Sequence, residues 1–428
     1  MKFPPLPHDG QLHADYLSRL SESIFEQFRT KESATFPQTD TEELRDEQNE
    51  QPPTRKEPPP LPLIGILTDT VAPASARPFG TRTGFIRKLI AEGSNRGRFI
   101  VFSPSDLRFS EEKVLAYVFE NKHWVRKQTP LPDVVYNRLL DRKLEQSSDL
   151  LKLRLLFMDK QIPMFNWSYF NKTDIYNLFS INSKMKSYIP EYVSNPTTSQ
   201  VRDMMTRHST LYFKPNAGSM GIGIYKISLS YGRTYTLQFR THGNNRRMSF
   251  PTLDGLMSFL RKREGSRIRA YFVQQGISLI RIKQCPVDFR FHLQKDGGEK
   301  WVIAGIGAKK AGAGSITTHQ RNGGVIMLPE KAMKPTFGSS TLHILQKAEH
   351  AAIELAKEIE KQHPHIIGEI GFDIGIDESG DIWMFEANSK PGRSIFKLPD
   401  LKNKGEASIK YIVDHCVYLS SIRHGVQT

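Results

Sequence analysis

The sequence predicts a mixed α/β and α+β protein: a small α/β domain, then two α+β lobes, behind an extension too polar to build a core. Three observations carry this. Apolar runs of strand length alternate with helical periodicities between residues 61 and 170. A glycine-rich segment, KPNAGSMGIG, joins two strand-like runs further on. Near the C-terminal end, the turn signal DESGD separates two more.

Residues 1–60 come first, rich in Pro, Glu, Gln and Thr and ending in QPPTRKEPPPLP. They hold too little apolar material to offset the entropy of ordering, although Tyr16 to Phe28 has the spacing of a short amphipathic helix. They carry 7 basic and 12 acidic side chains, a net −5, against 53 and 33 in the rest of the chain, a net +20. A body this basic favours anionic partners: nucleotide phosphates, acidic polymers or nucleic acid. Its densest cluster is RKREGSRIR, Arg261 to Arg269. No RRM, helix-turn-helix or zinc motif accompanies the charge, which argues against nucleic acid. No apolar run approaches the roughly 18 residues of a membrane span, and the N-terminus lacks an apolar signal core. Two cysteines, Cys285 and Cys416, are too few for a disulfide framework, so a cytoplasmic, reducing setting is expected.

In the α/β domain (61–170), strands are expected at Leu63 to Asp69, Phe99 to Pro104 and Asp133 to Leu140, with helices at Thr83 to Glu92 and Ser148 to Asp159. The first lobe (171–277) holds a helix in KTDIYNLFS and strands at Leu211 to Lys214, Ile224 to Ile227 and Tyr271 to Ile277. Glycines in its loop let backbone N–H groups approach phosphate oxygens, which marks Gly218, Ser219, Met220 and Gly221, with Lys214 supplying a point charge. The pattern is neither a P-loop nor a Rossmann fingerprint.

In the second lobe (278–428), DFRFHLQ puts Asp288, Arg290 and His292 on one strand face. Arg290 is a candidate to contact a transferring phosphoryl group unless it merely pairs with Asp288; Lys309 and Lys310, ending the next strand, join the same basic wall. A long helix, Ser340 to Gln362, and a terminal helix around Ser408 to Ile422 flank the hairpin IIGEIGFDIGIDESGDIWMFEANSKPGR. A two-residue turn at Ser379-Gly380 pairs Phe372 with Ala387, Ile374 with Phe385 and Ile376 with Trp383 on a buried face. The other face pairs Asp373 with Glu386, Gly375 with Met384 and Gly371 with Asn388. Two carboxylates so close call for a cation. Mg²⁺ held by Asp373, Glu386 and Asn388 fits, with the glycines leaving room for a ligand.

These residues resemble the metal-binding signature of the ATP-grasp superfamily. The ordered blocks IGILTD, FSPSDL, LPDVVYNR, FNKTDIYNLFS, YIPEY, FKPNAGSMGIGI, VQQGI, DFRFHLQKDG and the hairpin, from about Leu61 to Arg393, are similar to the YheC/YheD family of endospore coat-associated ATP-grasp proteins. The resemblance implies an ATP-grasp fold, two lobes holding ATP, preceded by a small α/β domain. It implies that Lys172 and Lys214 contact the nucleotide, that Gln274, Gln275 and Ile277 form the adenine hinge, that Arg290 faces the γ-phosphate and that Asp373, Glu386 and Asn388 hold Mg²⁺. It also implies carboxylate–amine ligase chemistry on unknown carboxylate and amine substrates, and an association with spore coat proteins. The rival expectation is a coat or interaction protein that binds nucleotide without turnover. Three positions depart from the wider ligase pattern: Gly371 where many ligases have Arg, Lys309-Lys310 at a position usually Arg, and His319 where Asn is common.

Overall fold

Apolar β-branched residues buried on both faces put LIGIL, Leu63–Leu67 (β1), at the centre of a sheet. The structure, a computed structural model, describes residues 60–70, 72, 75–216, 222–230, 234–241, 243–318 and 323–425. The expected helix at Tyr16 to Phe28, the loop residues Gly218, Ser219, Met220 and Gly221, and His319 lie outside them.

β1 runs parallel to Arg98–Phe102 (β2). An antiparallel hairpin, Lys113–Glu120 (β3) and His123–Pro130 (β4), extends the sheet beyond β2. On the other side come Val134–Asn137 (β5) and Met164–Phe165 (β6). Helix Thr83–Gly93 (α1) buries Ile86 and Leu89 on one face, and Ser148–Asp159 (α2) buries Leu150, Leu153 and Phe157 on the other. The β3–β4 hairpin was not foreseen because β4 is exposed along most of its length and lacks an apolar face to betray it.

The first lobe is an antiparallel sheet of Tyr192–Ser194 (β7), Thr210–Pro215 (β8), Tyr225–Ser230 (β9), Thr234–Thr241 (β10), Asn244–Phe250 (β11) and Tyr271–Gln275 (β12), in the order β11-β10-β9-β8-β12-β7. Lys172–Ser180 (α3) precedes it. Thr198–Arg207 (α4), started by a Thr197/Gln200 capping box, and Leu253–Glu264 (α5) cover one face of the sheet. The basic cluster Arg261 to Arg269 is partly consumed here: Arg263 bonds to the Tyr225 hydroxyl and lies over Phe239, and Arg261 bonds to Thr198.

The second lobe pairs Cys285–Lys295 (β13), Trp301–Lys310 (β14), Val325–Met327 (β15), Glu369–Ile376 (β16) and Ile382–Asn388 (β17) in the order β15-β14-β13-β16-β17. Ile370, Phe372, Ile374 and Ile376 of β16 are fully buried against Thr341–Gln362 (α6). Ala348, Ala351, Ala352 and Ala356 line that helix face, and their small side chains let it approach the sheet closely. The terminal helix, Lys402–Arg423 (α7), starts six residues earlier than expected. Its Ile409, Ile412, Val413, Cys416 and Leu419 complete the core of the first domain around β1 and α1. The boundary 278–428 therefore groups with the second lobe a helix that also belongs to the first domain.

Candidate nucleotide and metal cleft

A cavity of about 620 Å³ lies between the two lobes. The first lobe supplies Lys172, Tyr212, Lys214, Lys226 and Gln274; the second supplies Asp288, Arg290, Lys309, Asp373, Glu386 and Asn388. Gln275, Gly276 and Ile277, where the chain passes between lobes, line it too. Lys172 is placed by the start of α3, where Asn171 caps the helix by accepting from the Thr173 N–H. Lys214 stands at the end of β8, donates to the Gln274 side chain, and has its ammonium 5.5 Å from the Phe385 ring centre. Burial, and next the charge of Lys172, push the Lys214 ammonium down to about 8.

On the second lobe, Asp373 faces Glu386 across the hairpin and Gly371 faces Asn388, as the alternation predicts. Beyond Asp373 the register shifts by one: Ile374 faces Met384, Gly375 faces Trp383 and Ile376 faces Ile382. The cause is twofold. The turn is three residues wide rather than two, with Asp377 N–H bonded to the Asp381 carbonyl and Gly380 at φ +84°, a left-handed position that suits glycine. Phe385 is then the extra residue of a bulge. The buried face is accordingly Ile374, Met384, Ile376 and Ile382, while Phe385 lines the cavity.

The protein itself answers the expected repulsion between carboxylates. Arg290 grips Asp373 with both arms, Nε to Oδ1 at 2.9 Å and Nη2 to Oδ2 at 3.1 Å. Lys309 bridges Asp373 and Asp288 at 2.9 Å each, and Lys172 lies 3.4 Å from Glu386. Burial pushes the Asp373 carboxyl up, but Arg290 and Lys309 outweigh it and hold it below its ordinary range. Burial lowers the Lys309 ammonium, and Asp288 and Asp373 more than restore it. Arg290 thus pairs with Asp373 rather than with Asp288, its neighbour on the same strand face. Lys309 reaches the site; Lys310, next along β14, is not among the cavity-lining residues.

The two glycines leave no free room for a ligand. A Cβ on Gly371 would lie 2.5 Å from Pro391 and 2.6 Å from Arg290 Nη1; one on Gly375 would lie 2.5 Å from Leu279 and 2.6 Å from Phe385. Arg290 has taken the volume that a side chain at position 371 would need.

Residues the sequence did not flag stand just behind the cleft. Glu369 is fully buried and accepts from Tyr136 Oη and His292 Nε2, each at 2.7 Å, with Arg138 and Arg393 each 3.6 Å away. Burial pushes this carboxyl up, but Arg138, the His292 hydrogen bond and Arg393 outweigh it and hold it at about 2. Burial lowers His292 to about 4, so the ring is neutral; its Nδ1 finds no hydrogen-bond partner among the described residues. The one available signal was a glutamate inside an apolar strand run.

Asp373, Glu386 and Asn388 offer two carboxylates and one amide on one hairpin face. Among the described residues no three His, Cys, Asp or Glu side chains gather as a cage. This sparse all-oxygen donor set fits Mg²⁺, which takes few protein ligands and fills its shell with phosphate and water. No helix among the described residues is long and apolar enough to cross a membrane.

Comparison with known proteins agrees with this architecture. Residues 161–419 match the family model of YheC/D-like ATP-grasp proteins. The chain is 32% identical over 84% of its length to the endospore coat-associated protein YheD of Bacillus subtilis (strain 168), covering 79% of that protein. It is 21% identical over 72% of its length to YheC of the same organism, covering 85% of that protein. Among solved structures it is similar to the VanG D-Ala:D-Ser ligase of Enterococcus faecalis, with a TM-score of 0.48 and 12% identity over 84% of this chain and 100% of that one. The chain belongs to the YheC/D-like ATP-grasp family.

Proposed function

We propose that the chain binds Mg·ATP between its lobes and acts as a carboxylate–amine ligase. The observation that supports this most is the convergence, in one cavity, of Lys172 and Lys214 with the Asp373–Glu386–Asn388 face and the Arg290–Lys309 pair. In this reading Lys172 and Lys214 hold the phosphates. Gln274, Gln275 and Ile277 edge the adenine, while Gly218, Ser219, Met220 and Gly221 offer backbone N–H groups. Asp373, Glu386 and Asn388 hold Mg²⁺, which when bound neutralises the β- and γ-phosphate oxygens.

Arg290, with Lys309 and the more distant Lys310, stabilises charge on the transferring phosphoryl group. A substrate carboxylate oxygen attacks the γ-phosphorus and ADP leaves. An amine then attacks the acyl carbon, loses a proton and expels phosphate, leaving an amide. The low cysteine content favours a cytoplasmic setting, and by analogy with the named relatives the protein associates with the endospore coat, with coat proteins as partners. ADP release measured with Mg·ATP against a panel of carboxylates and amines tests the proposal. Turnover that needs one of each supports it. Tight, thermally protective Mg·ATP binding with no stimulation by any pair replaces it with a nucleotide-binding coat protein. The engagement of Arg290 and Lys309 by Asp373, which holds both away from a transferring phosphoryl group, is the observation that favours this second reading.

A further inference from the structure

The cleft-facing side of the first lobe carries a row of side chains running inward from solvent. Register places Arg247 on β11 beside Gln238 on β10, Gln238 beside Lys226 on β9, Lys226 beside Tyr212 on β8, and Tyr212 beside Gln274 on β12. Directly opposed residues share a sheet face, so this is one continuous line. Its inner four members line the cavity. At its outer end, a smaller hollow includes Gln238, Asn245 and Arg247 together with Gly314 and Ile316 of the second lobe. Arg240 is on the same face, opposite Asn245. Among the described residues, the ion pairs include none of Lys226, Arg240, Arg246 or Arg247. Among the described residues the arginines at the mouth therefore have no acidic partner, unlike Arg290 and Lys309 inside the cleft.

β11 also ends its sheet. Its residues Asn244 to Ser249 are exposed, and no described strand pairs its outer edge. An edge of this kind presents a row of backbone donors and acceptors that another extended backbone can pair with in place of water. We infer that the cleft draws its carboxylate substrate from an acidic, extended polypeptide that adds to the outer edge of β11, with its glutamate or aspartate side chains against Arg247 and Arg240. This rests on the ligase reading for the reacting group, but the docking surface stands on the edge and its charge alone. The exposed residues of β11 include no aromatic ring on which a nucleobase could stack, which favours a peptide over single-stranded nucleic acid. Edge arginines also discourage pairing between like copies, but that role demands no ligand.

The experiment uses the full chain and a synthetic peptide of alternating glutamate and threonine, titrated without nucleotide and followed by fluorescence anisotropy. Binding is expected to weaken with salt and to fall at least about tenfold in the Arg240→Glu/Arg247→Glu variant. The same peptide N-methylated along its pairing edge is expected to lose most of its affinity. Mg·ATP binding and the melting temperature of the variant, measured in parallel, are expected to be unchanged. This separates failure of the docking surface from failure of the nucleotide site. Equal binding by the variant, equal binding of the N-methylated peptide, or equally tight binding of single-stranded DNA of the same charge would overturn the inference. So would peptide binding that appears only after Glu42, Glu43, Asp46 and Glu47 are made neutral, since the chain's own acidic stretch would then be the occupant.

Discussion

Arg290 and Asp373 are cross-strand partners whose guanidinium and carboxylate meet through two hydrogen bonds, at 2.9 and 3.1 Å. Arg290, Lys309 and Lys172 therefore act as internal counter-ions for the acidic face. In the proposed reading, a divalent cation held by Asp373 and Glu386 would compete with them for the carboxylate oxygens and would leave more positive charge free for the phosphates.

Glu386→Gln tests this division of labour. Affinity for Mg·ATP is expected to fall about tenfold or more, or at least 1.4 kcal/mol. Affinity for ATP without metal is expected to hold or rise, because Lys172 is released from its partner. Isothermal titration with and without Mg²⁺ reads both; equal Mg·ATP affinity in mutant and parent would exclude the hairpin as the metal site.

Lys214 supplies a pH signature. Its ammonium, pushed down to about 8 by burial and by Lys172, is charged at neutral pH and must stay charged to hold a phosphate. Nucleotide affinity is expected to be flat below pH 8 and to decline as pH rises through it. Lys214→Arg keeps the charge at all these pH values, so the decline should vanish even if the affinity itself changes. A decline that persists in Lys214→Arg points to another group.

The network behind the cleft governs acid stability. His292, near 6.5 when unfolded and about 4 when folded, binds its proton more readily in the unfolded chain. Its contribution is complete above pH 6.5 and lost as pH falls through 4. Glu369, near 4.5 unfolded and about 2 folded, adds loss in the same direction below pH 4.5. Melting temperature is expected to drop by several degrees between pH 6.5 and 4, and less steeply in His292→Asn. Parallel slopes for parent and mutant would assign the acid sensitivity elsewhere.

At position 371 the smallest change is informative. Gly371→Ala places a methyl group 2.5 Å from Pro391 Cβ and 2.6 Å from Arg290 Nη1. Overpacking of this kind costs about 1–3 kcal/mol, read as a lower midpoint in urea unfolding. Because Arg290 must shift, Mg·ATP affinity should change with it. An unaltered midpoint would mean that the loop at Pro391 yields freely.

Local pattern made much of this legible. The assumed two-residue turn set Asp373 opposite Glu386, correctly because the bulge at Phe385 cancels the extra turn residue, and apolar periodicity located α1, α2, α3 and α6 to within a residue or so. It failed where long-range geometry decides. The bulge at Phe385 and the three-residue turn depend on how β17 packs beneath Leu279 and Gly375, which no hairpin rule contains. Likewise, which acid Arg290 chooses is settled by strand order: β16 lies beside β13, bringing Asp373 directly across from it. Glu369 was unreadable for the same reason, since its four partners come from β5, the residue just after it, β13 and the segment after β17.

The placement of α7 bears on how the chain is made. Ile64 and Ile66 share one core with Ile412 and Val413, residues synthesised more than three hundred positions later. A nascent first domain leaves the ribosome with that side of its sheet covered by α1 alone, and the rest of the cover arrives only once α7 has been made. Contacts of such long sequence separation slow folding and leave apolar surface open to misassembly. Ribosome-bound chains halted before Lys402 are therefore expected to engage chaperones, and chains extended well past Arg423 to lose that dependence.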